Sequence, residues 1–358
     1  MTQWIRWRSE APILQADRAW EQDARLSAVS LHVVPDSGLL RLYYLATFRD
    51  LPLDNVLCVA ESSTGHTWEK PDLGDGSNIV MGSSGHETGW GVFMPTRILY
   101  DPQEEQPKWR WKMVLWERPI AETKAGICLA VSEDGLAWSH LHERPIITGA
   151  NDAMSMIAVV PGITAPRDGQ FLLYQQTWKH NPSLPKYRDN LVDLHRRVSL
   201  WYNADSFDGS WTGPITSLEP DEQDPADLQH YWLSPYATRS GYGGLLLCHH
   251  TRDQTMDVQR VTSDDGWLWI RADKRQPLLP LGERGRFDCG IVTASSMPCR
   301  FGDRVLLPYN GRATVHDQLQ RYPGDPPTDP GIGLVELDPR YLGLRKRTTE
   351  SGMNQPNE

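Results

Sequence analysis

The chain has 358 residues, 39% hydrophobic and 23% charged, with 29 Gly and 27 Pro to punctuate turns, a composition of globular rather than disordered type. Its formal net charge of −10 argues against a nucleic-acid backbone as partner, because the long-range field repels phosphates. Five widely spaced cysteines (Cys58, Cys128, Cys248, Cys289 and Cys299) with no Cys-x-x-Cys pairing indicate neither a disulfide framework nor a zinc site. The first residues, "MTQWIRWRSEAP", contain no apolar h-region, and no later run approaches about 18 apolar residues. The expectation is a soluble, cytoplasmic protein without a membrane partner.

Taken in chain order, the elements repeat. Extended segments at 28–34, 92–99, 154–160, 232–238 and 291–298 each precede a second apolar strand: 39–46, 108–116, 170–176, 243–250 and 303–311. Four of the five units then end in a related hairpin: "ESSTGHTW", "VSEDGLAW", "DSFDGSW" and "TSDDGWLW". These place Gly at 65, 135, 209 and 266, and Trp at 68, 138, 211 and 269. A D-G or T-G turn between short strands is a hairpin signal, since Gly supplies the positive φ that such turns need. In the fifth unit, 331–339 fills the third-strand position, and "WIRWRS" at the N-terminus supplies a fourth strand that closes the ring.

No long window shows sustained period-3.6 apolarity. The reading is all-β: a single five-bladed β-propeller over 1–358, with blades near 20–74, 87–145, 151–215, 228–277 and 287–345. Two packed β-sandwiches are the alternative. Cys58 and Cys128, in the matching contexts "CVAES" and "CLAVS", read as small buried strand residues. The fifteen Trp suit both packed blade edges and sugar-stacking subsites.

These hairpins differ from the sialidase Asp-box, where one residue separates Asp from Gly. They resemble the Ser-x-Asp-Gly-x-x-Trp hairpins of five-bladed glycoside hydrolases, the arabinanase, xylosidase and invertase relatives. The stretches "DNVLCVAESSTGHTWEKPDLG", "MDVQRVTSDDGWLWIRADKRQPLLPLGERGRFDCGIV" and "GDRVLLPYNG" are similar to a bacterial group related to the family 32 N-terminal propeller. The resemblance spans nearly the whole chain, and it implies this fold and glycoside chemistry in a central pocket. One departure is plain: the relatives place an Asp at the first inner strand, whereas "SAVSLHVV" has no acid there.

In such a fold the loop before each inner strand opens on the ligand face, and the Gly-x-x-Trp turns fall on the opposite one. The entry loops carry acids: Glu21 and Asp23, Glu87 in "GHETGWG", Asp152 in "GANDAMS", Asp227 with His230 and Tyr231, and Asp288 in "GRFDCGI". Glycosidic cleavage needs a proton donor and a second carboxylate. Asp152 and Asp288 are the leading pair, with Glu87 third; for each, the alternative role is capping a turn.

The second-to-third-strand loops supply substrate contacts. They carry Arg49, Asp50 and Asp54; Trp116, Glu117 and Arg118; Trp178, His180, Arg188 and Asp189; His249, His250 and Arg252; and Asn310, Arg312, His316 and Asp317. His249 and His250 are adjacent on a strand and point to opposite faces, so at most one reaches the channel. No metal and no cofactor is expected. The function read here is hydrolysis of a terminal sugar from a small oligosaccharide or glycoside. A glycoside phosphorylase, with Arg252, Arg312 and His316 around phosphate, or a non-catalytic carbohydrate-binding propeller are the alternatives.

Overall fold

The computed structural model describes residues 4–48, 55–74, 76–83, 93–119, 122, 124–149, 152–159, 171–187, 189–203 and 206–344. Among them the regular structure is strand, with three short 3-10 turns and no α-helix. No described helix is long and apolar enough to cross a membrane.

The strands form five antiparallel meanders. The first runs Arg25–Val33, Leu40–Thr47, Asn55–Ser62 and Ile79–Gly82. The second is Phe93–Tyr100, Trp111–Glu117 and Gly126–Ser132, edged by Ser139–His140 and Ile147–Thr148. The third is Met154–Ala158, Phe171–His180, Leu194–Asn203 and Trp211–Leu218. The fourth is Leu228–Ala237, Tyr242–His250 and Thr255–Ser263, edged by Ile270–Arg271 and Pro277–Leu279. The fifth is Ile291–Thr293, Arg304–Arg312 and Gly331–Leu337, with Ile5–Arg8 from the N-terminus paired to its outer edge as the sequence suggested. A single parallel bridge, Met256 to Ile291, joins the last two into one sheet.

Strand alternation decides how the meanders stack. In Leu40–Thr47, Leu40, Leu42, Tyr44 and Ala46 pack with Leu306, Ile332 and Leu334 of the fifth meander. The intervening Tyr43 and Leu45 pack with Ile98, Met113 and Leu115 of the second. The same parity recurs: Leu173 faces the second meander and Leu172 and Tyr174 the fourth, while Leu246 faces the third and Leu245 and Leu247 the fifth. Middle strands are therefore buried on both faces, which is why they read as continuous apolar runs. Five clusters thus lie between successive meanders, the fifth returning to the first. Cys58, Cys128 and Cys248 each sit on the face toward the preceding meander, as small apolar groups.

The repeated turns lock neighbours together. Ser62, Ser132 and Ser263 Oγ accept from the backbone N–H of Gly65, Gly135 and Gly266 at 2.7, 2.9 and 2.8 Å. Trp68 and Trp138 Nε1 donate back to the carbonyls of Gly65 and Gly135. The preceding meander then holds the turn: Tyr43 Oη donates to Gly135 O, Tyr174 Oη to Gly266 O, and Arg304 Nη1 to Thr64 O. The third hairpin differs, because Gly and Trp are one residue closer and Asn203 Oδ1 takes the N–H of Ser206 instead.

Gly135 has φ +74°, and a Cβ there would lie 2.3 Å from Tyr43 Oη and 3.1 Å from the Trp111 ring. Gly135→Ala is expected to cost about 2–4 kcal/mol, from left-handed strain plus overpacking. Gly38, at φ +68° with open space around it, isolates the strain. Gly38→Ala should cost about 1–2 kcal/mol, and urea titrations of the two variants against the parent measure both costs.

Candidate functional site

A cavity of 790 Å³ opens where all five meanders meet, the second contributing Met94. Its charged lining comprises Asp152, Asp189, Asp317, Arg25, Arg196 and Arg312, with His316, Tyr231, Trp178 and Asn310 beside them. Trp178 is 42% exposed, and its indole N–H donates to Gln176 Oε1 at 2.9 Å, which fixes the ring.

Arg196 organises one wall. It lies on Leu194–Asn203, buried at the same strand parity as Val198 and Leu200. Nη1 and Nη2 donate to Asp189 Oδ2 and Oδ1 at 2.6 and 2.9 Å, and Nη1 also reaches Gln229 Oε1 at 2.5 Å. Its guanidinium lies 5.3 Å from the centre of the Tyr231 ring. This fork ties the loop after Phe171–His180 to the fourth meander, in the planar two-bond geometry that arginine favours.

Behind it, the His249 and His316 rings stand 4.6 Å apart. His316 Nε2 is 3.3 Å from Tyr231 Oη, and its Nδ1 is 3.3 Å from Gln254 Oε1. Burial, reinforced by the Arg196 cation, pulls His316 down to about 4 and His249 well below the ordinary imidazole value. Burial pushes the Tyr231 phenol up to about 12, with the Asp152 charge adding to it. Burial and the nearby Arg25 cation lower Arg312 to about 10, so two guanidinium groups act on each other in one cavity. Arg312 Nη1 donates to Gln318 Oε1 at 3.1 Å.

Asn310 has a tethering role beside its place in the lining. Its Oδ1 accepts from Ala28 N at 2.6 Å and its Nδ2 donates to Ala28 O at 3.3 Å, at an irregularity in Arg25–Val33. The fifth meander is thereby pinned to the first strand of the first.

Of the candidate residues, the cavity gathers Asp152, Trp178, Asp189, Tyr231, Asn310, Arg312, His316 and Asp317. Asp288 stands apart. It is fully buried behind Gly311, accepting from Arg8 Nη2 at 2.6 Å, Tyr309 Oη at 2.7 Å and Arg286 Nε at 3.2 Å. Its carboxylate is consumed in anchoring the N-terminal strand and is not in the cavity lining. Glu117 is also buried, 2.7 Å from His140 Nε2, and Trp116 packs in the core between the second and third meanders. Glu21 is buried against Tyr44 and Lys70. His250 turns away onto Asp257 Oδ2 at 2.8 Å, so His249 is the one of the pair that faces the cavity side. Arg252 is exposed and rests on Tyr187. Glu87, Arg49, Asp50, Asp54 and Arg188 lie outside the described residues.

Arg25, Arg196, Gln176 and Trp232 line the cavity and were not expected. Arg196 had a signal: of two adjacent arginines in "LHRRVSLW", strand alternation sends one onto the apolar face. Trp178 belongs to a strand rather than a loop, because pairing continues through Trp178 to Arg196 and on to His180.

No protein-family profile matches the chain, and no curated protein matches it in sequence. Solved structures share its fold. One described as a glycoside hydrolase aligns with TM-score 0.59 and 10% identity, over 99% of this chain and 96% of its own. A second concerns the GH130 family of mannoside phosphorylases, containing glycoside hydrolases that target β-1,2 mannosidic linkages in Candida mannan. It aligns with TM-score 0.55 and 13% identity, over 94% of both chains. A third, a fructofuranosidase from Schwanniomyces occidentalis complexed with fructosylnystose, aligns with TM-score 0.52 and 11% identity, over 87% of this chain and 56% of its own.

Proposed function

We propose that the five meanders are the blades of one β-propeller and that its cavity binds a small carbohydrate and cleaves a glycosidic bond. The observation that carries this reading is the joint lining of one cavity by Asp152, Asp317 and a half-exposed Trp178. An indole face suits the C–H face of a sugar, and two carboxylates suit protonation of the leaving oxygen and activation of water. Asp152, at the entry loop of the third blade, serves as proton donor. Asp317, close enough to Arg312 to favour its charged form, is the second carboxylate. Asp189 is assigned to positioning, since both its oxygens already accept from Arg196.

A second reading is favoured by one observation. Arg312 and Arg25 stand close enough in the lining to lower the pKa of Arg312, and such a pair suits a phosphate or carboxylate group. Phosphate would then replace water as the attacking group. Turnover of a panel of aryl glycosides and short oligosaccharides, with and without inorganic phosphate, tests both. Release of free sugar without phosphate is the expected result. A strict phosphate requirement with sugar phosphate as product selects the second reading, and no turnover of any member while a sugar still binds removes both.

A further inference from the structure

We propose that Asp189, His249 and His316 form a binding site for a divalent transition-metal ion in the cavity wall. Three potential ligand atoms, one from each residue, lie within 4.8 Å of one another. They come from three separate parts of the chain: the loop after Phe171–His180, the end of Tyr242–His250, and the loop after Arg304–Arg312.

A second observation points to a ligand. His249 is fully buried, and neither of its ring nitrogens makes a hydrogen bond of normal length, the Gln254 side chain being near it but already engaged with His316 and Thr251. Buried polar atoms are nearly always paired, so this imidazole calls for an explanation. One of its nitrogens necessarily carries a lone pair, and a metal ion satisfies it where no donor does.

The donor set selects the class of ion. Two imidazole nitrogens and one carboxylate oxygen are the ligands of zinc and its neighbours, whereas calcium and magnesium take mostly oxygen. Asp189 and His316 line the cavity, so the remaining coordination position faces it. The surrounding contacts are of the orienting kind: Arg196 holds both Asp189 oxygens, and Tyr231 and Gln254 flank the two nitrogens of His316. A carboxylate has about four lone-pair positions, enough to serve Arg196 and an ion together. One of the two contacts to His316 gives way on binding. Ligands at about 2.0–2.1 Å from a tetrahedral ion sit about 3.3 Å apart, so the three groups close inward by up to about 1.5 Å. The neighbouring Arg196 cation opposes the ion, and the site is therefore weaker than a closed structural zinc site.

This inference goes beyond the glycoside reading and holds whether or not the cavity cleaves a sugar, because its test reads binding alone. The full chain, stripped with chelator and dialysed, is titrated with zinc by calorimetry and, separately, with cobalt while its visible absorption is followed. One ion per chain and a tetrahedral cobalt spectrum are expected. His316→Gln, at the cavity surface, should weaken zinc at least about tenfold, and Asp189→Asn should do the same. His249→Gln is the third variant, read only if its circular dichroism matches the parent. Absence of saturable binding at millimolar zinc overturns the proposal, as does a His316→Gln chain that binds as tightly as the parent.

Discussion

Asp152→Asn is expected to lower kcat/KM at least about 100-fold while leaving the unfolding midpoint unchanged, whereas Asp288→Asn should do the reverse. The two acids occupy matching sequence positions, each in the loop before an inner strand, but different surroundings. Asp152 lines the cavity and its charge acts on Tyr231. An amide keeps the shape of the side chain and removes the proton donor, so the loss falls on turnover. Asp288 is enclosed by Arg8, Arg286 and Tyr309. Removing its charge leaves Arg8, itself largely buried, without a counter-ion, which costs about 3–5 kcal/mol. That is a large share of the roughly 5–15 kcal/mol by which a domain is stable. Steady-state kinetics and urea titrations on both variants separate the roles. If Asp152→Asn kept wild-type kcat/KM while a stably folded Asp288→Asn lost it, the chemistry would lie behind Gly311 and the proposed site would be wrong.

That contrast also marks where the sequence stops being readable. The turns were legible because their cause is local: Ser62 and Gly65, or Ser132 and Gly135, complete a hydrogen-bonded unit within four residues. Strand positions were legible because each middle strand is buried on both faces and so announces itself as an apolar run. The fate of an entry-loop acid is not local. Asp288 is neutralised by Arg8, 280 residues earlier, and accepts a hydrogen bond from Tyr309 of the neighbouring strand. The histidine pair shows the same limit. Alternation dictates that His249 and His250 face opposite ways, but which one turns to the cavity depends on what packs on each side. His249 meets His316 and Tyr231, and His250 meets Asp257. Arg196 was hidden for a related reason: the strand carrying it extends further than the loop-like "NPSLPKYRDN" implies, and its partner Gln229 belongs to the next meander.

Acid should unfold this protein earlier than its carboxylates alone would dictate. His32 is buried with its ring edge-on to Tyr43 and Trp111, and its Nε2 is 2.9 Å from Ser30 Oγ. Burial, with the Arg97 and Arg41 cations nearby and a backbone contact at Ile98 working the other way, pulls its pKa down to about 3. His230 is held well below the ordinary value by burial and then by Arg271. Arg271 Nη1 lies 2.9 Å from His230 Nε2, and since arginine can only donate, that nitrogen must be the unprotonated one. His195 adds repulsion. Asp221 and Asp224 favour the charged form, but Asp224 already accepts from Arg271 and Arg275. In both cases the folded pKa lies below the unfolded value of about 6.5, so the unfolded chain binds protons that the native one refuses. Stability present above that value is therefore lost as pH falls through it. His249 and His316 in the cavity wall are depressed in the same way. One unit below the unfolded value each of the four costs about 1.4 kcal/mol, about 5–6 kcal/mol together near pH 5.5. His250, raised against its burial by Asp257, returns part of that. Urea midpoints at about pH 7.5 and 5.5 should differ accordingly, and His230→Asn should reduce the stability loss by about 1.4 kcal/mol. The native carboxylates with depressed values, such as Asp134 and Asp273, titrate below this window and add nothing to it. A midpoint that stays flat across the interval would mean that these buried imidazoles take up protons in the folded state, and with that the account of their burial would fail.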